Sequence, residues 1–148
     1  MEKYPKRAMS TRAERRGLSP SIRDIEKGVS PKDIDKMEDT IRNILENSHK
    51  PDDSELALLE QFSLMCQRVI AFKEWGPSSA QTNRITAKIA RHDNVLHKHN
   101  FSTHQHIIPL NLWVTRRLVH KENELYKLLK MAQKKMPEET KKEKEGSN

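Results

Sequence analysis

The sequence predicts an all-α fold in which two long helices form a central antiparallel hairpin with flanking helices. Apolar residues recur at the spacing of a helix face, and serine, aspartate, glycine and proline stand where helices begin and end. No stretch shows the alternation typical of a strand. We expect a flexible basic arm at residues 1–18, one helical domain at 19–136 and a disordered charged tail at 137–148.

The first two helices of this domain are predicted from two Ser-Pro pairs, because serine caps a helix and proline suits its first position. One helix is expected at 19–27, ending at Gly28, and the second at 31–47, followed by a polar loop at 48–53. The apolar face of the second helix comprises Ile34, Met37, Ile41, Ile44 and Leu45. The stretch 22–37 also has the layout of a helix–turn–helix, with glycine in the turn.

The central hairpin is predicted from a wide apolar stripe and a clear break. Asp53 or Ser54 suits the cap of a helix that runs to Trp75. The Gly-Pro-Ser-Ser sequence at 76–79 ends it, and a second long helix is expected at 81–99. Because the connection is short, the two helices should be antiparallel neighbours.

The remainder of the domain is predicted to contain one irregular stretch and one long helix. Residues 100–109 are polar and lack periodicity, so we expect no regular structure there. A helix is expected at 111–136, where Pro137 stops it. Its apolar residues include Leu118, Leu125 and Ala132 at heptad spacing.

Composition and cysteine content restrict the class of protein. Charged residues make up 33% and apolar residues 34%, which predicts a modest core and a polar surface. Cys66 is the single cysteine, so no intramolecular disulfide can form, which favours a reducing compartment such as the cytoplasm. No apolar run approaches the roughly 20 residues that span a bilayer. We therefore expect no membrane partner.

Catalytic and metal-binding motifs are not recognisable. Four glycines do not form a phosphate-binding loop, and Cys66 lies on an apolar stripe, where cysteine usually only packs. The histidines of residues 92–106 lack the spacing that brings ligands to one helix face; they are His92, His97, His99, His104 and His106. We expect a non-enzymatic protein without a cofactor or a metal ion.

The net charge of +7 favours a polyanionic partner, although lysines on solvated helix faces give the same total. The candidate nucleic-acid contacts form two groups. The first lies in and just beyond the arm and comprises Lys6, Arg7, Arg12, Arg15, Arg16 and Arg23. The second lies on the last helix and comprises Arg116, Arg117, Lys127, Lys130 and Lys134. These cations suit phosphate groups, and double-stranded DNA is the expected partner.

Each basic group has an alternative interpretation. The arm could serve only solubility, and the last helix could pack on the core or dock on a protein partner, which would make the chain an adaptor. Acidic residues on the helix at 31–47 argue against its insertion into a DNA groove; they are Asp33, Asp35, Glu38 and Asp39.

The apolar stripe of the helix at 53–75 is wider than one neighbouring helix could cover. We therefore expect the protein to form a homo-oligomer. The residues expected partly at the subunit contact are Phe62, Met65, Val69 and Phe72.

The order of these parts resembles the small terminase subunits of tailed bacteriophages. The resemblance covers residues 30–106, from the acidic-capped helix that begins DDSELALLEQFSLMCQRVIAF, through a Gly-Pro break, to the helix TNRITAKIARHDNVLHKH. It implies oligomer contacts through two long antiparallel helices, viral DNA binding by an N-terminal region, and engagement of a large ATP-hydrolysing subunit by a C-terminal segment. The long basic last helix and the acidic helix at 31–47 depart from that layout.

Overall fold

The computed structural model describes residues 28–137, and this part of the chain is helical and contains no strand. The all-α class and the central hairpin are therefore confirmed. The α-helices of the described range are α1 (Pro31–Glu46), α2 (Asp53–Trp75), α3 (Ala80–Lys98), α4 (Ile108–Leu112) and α5 (Glu122–Lys135). The predicted arm, the helix at 19–27 and nearly all of the tail lie outside the described residues, as does the first half of the proposed helix–turn–helix.

The hairpin has well-defined ends. Asp52, rather than the predicted Asp53 or Ser54, caps α2: its carboxylate accepts from the Glu55 backbone N–H at 2.8 Å, and the Glu55 carboxylate accepts from the Asp52 N–H at 3.0 Å. This reciprocal capping box satisfies two amides that have no partner within the helix. At the other end Gly76 has φ +90°, a conformation that side chains disfavour.

The second helix of the hairpin is capped just as clearly. The Ser79 hydroxyl accepts from the Thr82 N–H at 3.1 Å and begins α3. Asn100 ends it with φ 68°, its N–H bonding to His97 O, while the Phe101 N–H bonds to Leu96 O, both at 3.0 Å. This pair of bonds is a Schellman motif, for which asparagine is an accepted left-handed residue.

Helix α2 is the centre of the fold. Its buried residues lie around most of its circumference, because α1, α3, α4, the turns after α4 and α5 all pack against it. The predicted apolar face of α1 is confirmed, with Met37, Ile41, Ile44 and Leu45 buried and Ile34 partly buried. Although α2 has 23 residues, no helix between residues 28 and 137 is long and apolar enough to cross a membrane.

The prediction for residues 100–136 was wrong in two places. The expected irregular stretch is largely helical: Ser102 caps a wide, π-type turn at Thr103–Ile107, which leads into α4. Proline lacks an N–H and crowds the carbonyl four residues before it, and the wider turn before Pro109 accommodates both effects. The expected single last helix is divided. After α4 comes a second π-type turn at Trp113–Arg117, followed by a 3-10 turn at Leu118–His120. Lys121 separates these turns from α5.

Candidate nucleic-acid interface

A row of basic side chains follows the outer side of α3. Arg84, Lys88, Arg91 and Lys98 are separated by four, three and seven residues, spacings that place them on one side of a helix. All are exposed except the half-buried Lys88. At about 1.5 Å per residue the row is about 21 Å long, comparable to roughly six nucleotide steps of about 3.4 Å along one DNA strand.

The exposed surface of α3 carries no carboxylate. Asp93 is the one acidic residue in Ala80–Lys98, and it is half-buried where α3 meets α2. Its Oδ1 accepts from Gln61 Nε2 at 2.8 Å. Among the described residues, Arg84, Arg91 and Lys98 form no ion pair or hydrogen bond through their charged groups. Their charge is therefore not neutralised within this part of the chain.

Hydrogen bonds from α2 hold α3 in place. The fully buried Gln61 lies at the centre of the contact, and its Oε1 is 2.9 Å from His92 Nδ1. Because a carboxylate only accepts, the Gln61 amide NH2 must face Asp93; its oxygen then faces His92, which must donate through Nδ1. Near the end of α3, the Ser54 hydroxyl lies 3.2 Å from His99 Nδ1. These contacts lie on the inner side of α3 and leave its outer side exposed.

One partly buried arginine of α2, Arg68, lies near Asp93 of α3. Desolvation lowers the pKa of Arg68, and the nearby negative charge of Asp93 acts in the opposite direction. Arg68 Nη2 donates to Asn111 Oδ1 at 2.8 Å, which connects α2 to α4. Arg68 remains a cation because arginine stays protonated in proteins. Its position between helices indicates a structural role.

Two acidic residues of α1, Asp35 and Glu38, are bound by arginines of the same chain. Arg117 donates to Asp35 Oδ1 at 2.8 Å and to Glu38 Oε1 at 2.6 Å, and these hydrogen bonds to carboxylates raise its pKa. Arg42 donates to Glu38 at 3.0 Å, lies 3.3 Å from Glu124 and lies over the Trp113 ring. Arg117, predicted to contact nucleic acid, is therefore engaged in joining the end of the Trp113–Arg117 turn to α1.

The other basic residues predicted on the last helix have different surroundings. Lys127, Lys130 and Lys134 are all exposed along one side of α5. Arg116 is exposed as well, but it already takes part in an interaction within the chain. Carboxylates lie near the start of α5, since Glu122 accepts from Lys73 at 2.6 Å and Glu124 lies near Arg42. The outer side of α5 is thus of mixed charge, in contrast to that of α3.

The candidates of the N-terminal group lie outside the described residues, so the structure leaves their role a prediction. They are Lys6, Arg7, Arg12, Arg15, Arg16 and Arg23. The sequence interpretation missed the row on α3, although its spacing of four, three and seven residues could have revealed it. The histidines and apolar residues interspersed among these cations obscure their alignment in the sequence.

Of the four residues predicted at a subunit contact, the structure buries three and exposes one. Phe62 is 0%, Met65 1% and Val69 7% exposed, so these side chains have almost no surface with which to contact a second chain in this fold. For these three residues the prediction was wrong, because neighbouring helices of the same chain cover the wide apolar stripe. Phe72, which is 52% exposed, remains available to a partner.

Self-association therefore stays a prediction that now depends on exposed side chains. Light scattering at tens of micromolar, about the dissociation constant of a weak interface, should show a mass above that of one chain. Phe72→Ala should shift the distribution toward monomer, whereas the exposed Gln81→Ala should leave it unchanged. A monomer at every concentration would contradict self-association.

The histidines mostly bond within the chain. Besides His92 and His99, His97 Nε2 lies 3.1 Å from the Thr103 hydroxyl, and His106 Nδ1 accepts from the Ser102 N–H at 2.8 Å. Cys66 is buried in the core. Between residues 28 and 137, no three His, Cys, Asp or Glu side chains are grouped so that they could hold a metal ion. These contacts give the histidines a structural explanation.

A cleft of about 430 Å³ lies where α2, α3 and the end of α5 meet. Asp53, Glu60, His92 and His99 contribute its polar lining, and Val95 and Met136 are among its apolar residues. Glu60 already interacts within the chain, as does His92 with Gln61. This arrangement lacks a nucleophile paired with a base, so it does not define a reaction.

The described residues define a helical protein whose α3 presents a row of cations, of which Arg84, Arg91 and Lys98 form no ion pair within this part of the chain. Comparisons with protein-family models, with curated proteins and with solved structures found no match to this chain. The likeness to small terminase subunits therefore stays an inference from the layout of the sequence.

Proposed function

We propose that this protein binds nucleic acid by contacting phosphate groups with the outer side of α3. The observation that carries the proposal is the row of Arg84, Lys88, Arg91 and Lys98 on a helix surface without an exposed carboxylate. Cations that displace counterions from phosphates supply much of the affinity of nucleic-acid binding. Arginine also pairs with a phosphate through two parallel hydrogen bonds.

The surroundings of the row support phosphate contact. The exposed residues between the cations are small or uncharged, such as Ala87, Ala90 and Asn94, so a phosphodiester chain could approach the helix closely. The same surface of α3 has no apolar patch that would suit a protein partner. A rigid helix, held from behind by Gln61, also reduces the conformational entropy that ordering a flexible basic segment would cost.

More specifically, we propose that the chain forms a homo-oligomeric, non-enzymatic protein that recognises double-stranded DNA. The layout of the sequence supports a role as the small terminase subunit of a phage packaging motor, working with a large ATP-hydrolysing subunit in a host cytoplasm. In that arrangement the arm residues Lys6, Arg7, Arg12, Arg15 and Arg16 would bind further phosphates.

An adaptor that docks on a protein through α5 is the second candidate. The observation that favours it is Tyr126, which is 47% exposed beside the exposed Lys127 and Lys130. Tyrosine is enriched in protein interfaces because its ring supplies apolar area and its hydroxyl a hydrogen bond. The two candidates place the binding surface on different helices, so one set of variants separates them.

Neutralising the row on α3 should weaken binding to a labelled DNA duplex. The variant Arg84→Gln/Arg91→Gln/Lys98→Gln should fold normally, because these residues make no ion pair within the described part of the chain. Fluorescence anisotropy at several salt concentrations should show a shallower log–log salt slope, by roughly 0.9 for each phosphate that the variant no longer neutralises. The melting temperature should stay within about a degree or two of the unmodified protein, as for other exposed substitutions.

A matched control removes the same charge elsewhere. Lys127→Gln/Lys130→Gln/Lys134→Gln changes the net charge equally on α5, and deletion of residues 1–16 tests the arm. If the α5 variant lowers the slope and the α3 variant does not, the interface lies on α5. If the unmodified protein binds no nucleic acid at low salt, the nucleic-acid proposal is wrong and the adaptor takes its place.

A further inference from the structure

Two large aromatic side chains are exposed at the end of α2. Phe72 is 52% and Trp75 54% exposed, although residues of this kind are usually well buried. They are three residues apart, so they lie on the same side of the helix, one turn from each other. Glu74 lies between them in sequence, but at 3.6 residues per turn it projects well away from the line that joins them. The two rings therefore form an apolar patch at this end of the helix.

The contacts between α2 and α3 place these rings along the hairpin. Gln61 of α2 contacts His92 of α3. Ser54, seven residues before Gln61, contacts His99, seven residues after His92. The two antiparallel helices therefore advance together, one residue of α2 for each residue of α3. Phe72 lies eleven residues after Gln61, so it is level with Gln81, which lies eleven residues before His92 in the first turn of α3. The rings thus lie at the end of the hairpin where the basic row begins with Arg84.

We propose that Phe72 and Trp75 stack on unpaired bases while the cations of α3 bind the phosphates of the same strand. The proposal rests on the nucleic-acid function above and specifies single-stranded DNA or RNA as the form that uses this end of the hairpin. Proteins that bind single strands combine a basic track with exposed aromatic rings, since every base offers a face for stacking. Bases inside a duplex are already stacked on each other and cannot use these rings.

Apart from Glu74, which projects away from the line of the rings, the charges near the rings suit an anionic strand. The turn that joins the helices, Gly76 to Ser79, is uncharged, and Lys73 is paired with Glu122 on the side facing α5. Beyond the turn, the next exposed charge along α3 is Arg84. A strand that leaves the rings along α3 would therefore meet Arg84, Lys88 and Arg91 in succession.

The tryptophans allow a direct test. The chain has two, and Trp113 is only 1% exposed while it stacks on Phe62, so quenching by an added oligonucleotide reports on Trp75. Oligothymidylate should quench the fluorescence of the unmodified protein. Trp75→Ala and Phe72→Ala should each weaken its binding about tenfold, the effect of losing one stacked base. Trp75→Phe retains a ring and should preserve most of the affinity.

Binding of labelled oligothymidylate and of a duplex of equal length should be measured by anisotropy, with Tyr126→Ala as a control that removes a similarly exposed ring from α5. Loss of single-strand affinity in both ring variants, with duplex affinity and Tyr126→Ala unchanged, supports the stacking site. If the ring variants bind both probes normally while neutralising α3 weakens binding, the stacking site is wrong and the proposed function survives. If the unmodified protein binds neither probe, both proposals are wrong, and the subunit contact expected at Phe72 is left as the role of the exposed rings.

Discussion

Phe62→Ala is expected to destabilise the protein by about 3–5 kcal/mol, the usual cost of removing a large aromatic side chain from a core. Phe62 has no exposed surface and stacks on Trp113, with ring centroids 5.5 Å apart and ring planes 19° from parallel. The substitution would leave a cavity between α2 and the Trp113–Arg117 turn. Because domains of this size are stable by only about 5–15 kcal/mol, a large part of the stability should be removed. Urea unfolding followed by circular dichroism would measure it.

Phe72→Ala is the matched control, since it makes the same change on the same helix. Its side chain is half exposed, so the cost should be within about 0.5–1 kcal/mol. The experiment also separates a core from a subunit contact. If Phe62 were at a subunit contact, the effect of Phe62→Ala would depend on protein concentration. A concentration-independent effect is expected here, and equal effects of the two substitutions would contradict the described core.

Gln61→Leu is expected to cost about 1–3 kcal/mol, because it removes hydrogen bonds from buried or half-buried polar groups without replacing them. Asp93 would lose the amide donor at 2.8 Å, and the His92 ring would lose the acceptor at 2.9 Å. Leucine is of similar size to glutamine, so a change of volume contributes little. Thermal unfolding would show the change as a lowered melting temperature.

Gln81→Leu provides the control for this substitution. Gln81 lies in the first turn of α3, is exposed and makes no side-chain hydrogen bond within the described residues, so the same change should stay within about 0.5 kcal/mol. A double variant of Gln61→Leu with Asp93→Leu tests the cause. It should recover part of the stability, because removing both partners leaves fewer polar groups unsatisfied. No recovery would show that the Gln61–Asp93 bond is not the source of the cost.

The candidate interface shows how far charge patterns can be interpreted from sequence. Arg84, Arg91 and Lys98 lie on one side of α3 by spacing alone, so their alignment was available from the sequence. Arg117 was predicted among the phosphate contacts, yet it is bound by Asp35 and Glu38, which lie 82 and 79 residues away in the chain. No local pattern indicates such a pairing, because it depends on how α1 packs beside the Trp113–Arg117 turn.

The sequence by itself determined the helices and their ends to within a residue or two for α1, α2 and α3, because helix periodicity and capping are local properties. It did not determine how the chain after Asn100 is divided into short helical turns and α5. The wide turn before Pro109 and the break at Lys121 were not predicted. Nor could it distinguish Phe62 from Phe72, since both belong to one apolar stripe. Only the tertiary structure decided that several helices enclose the first and leave the second exposed, because burial depends on neighbours that are distant in the chain.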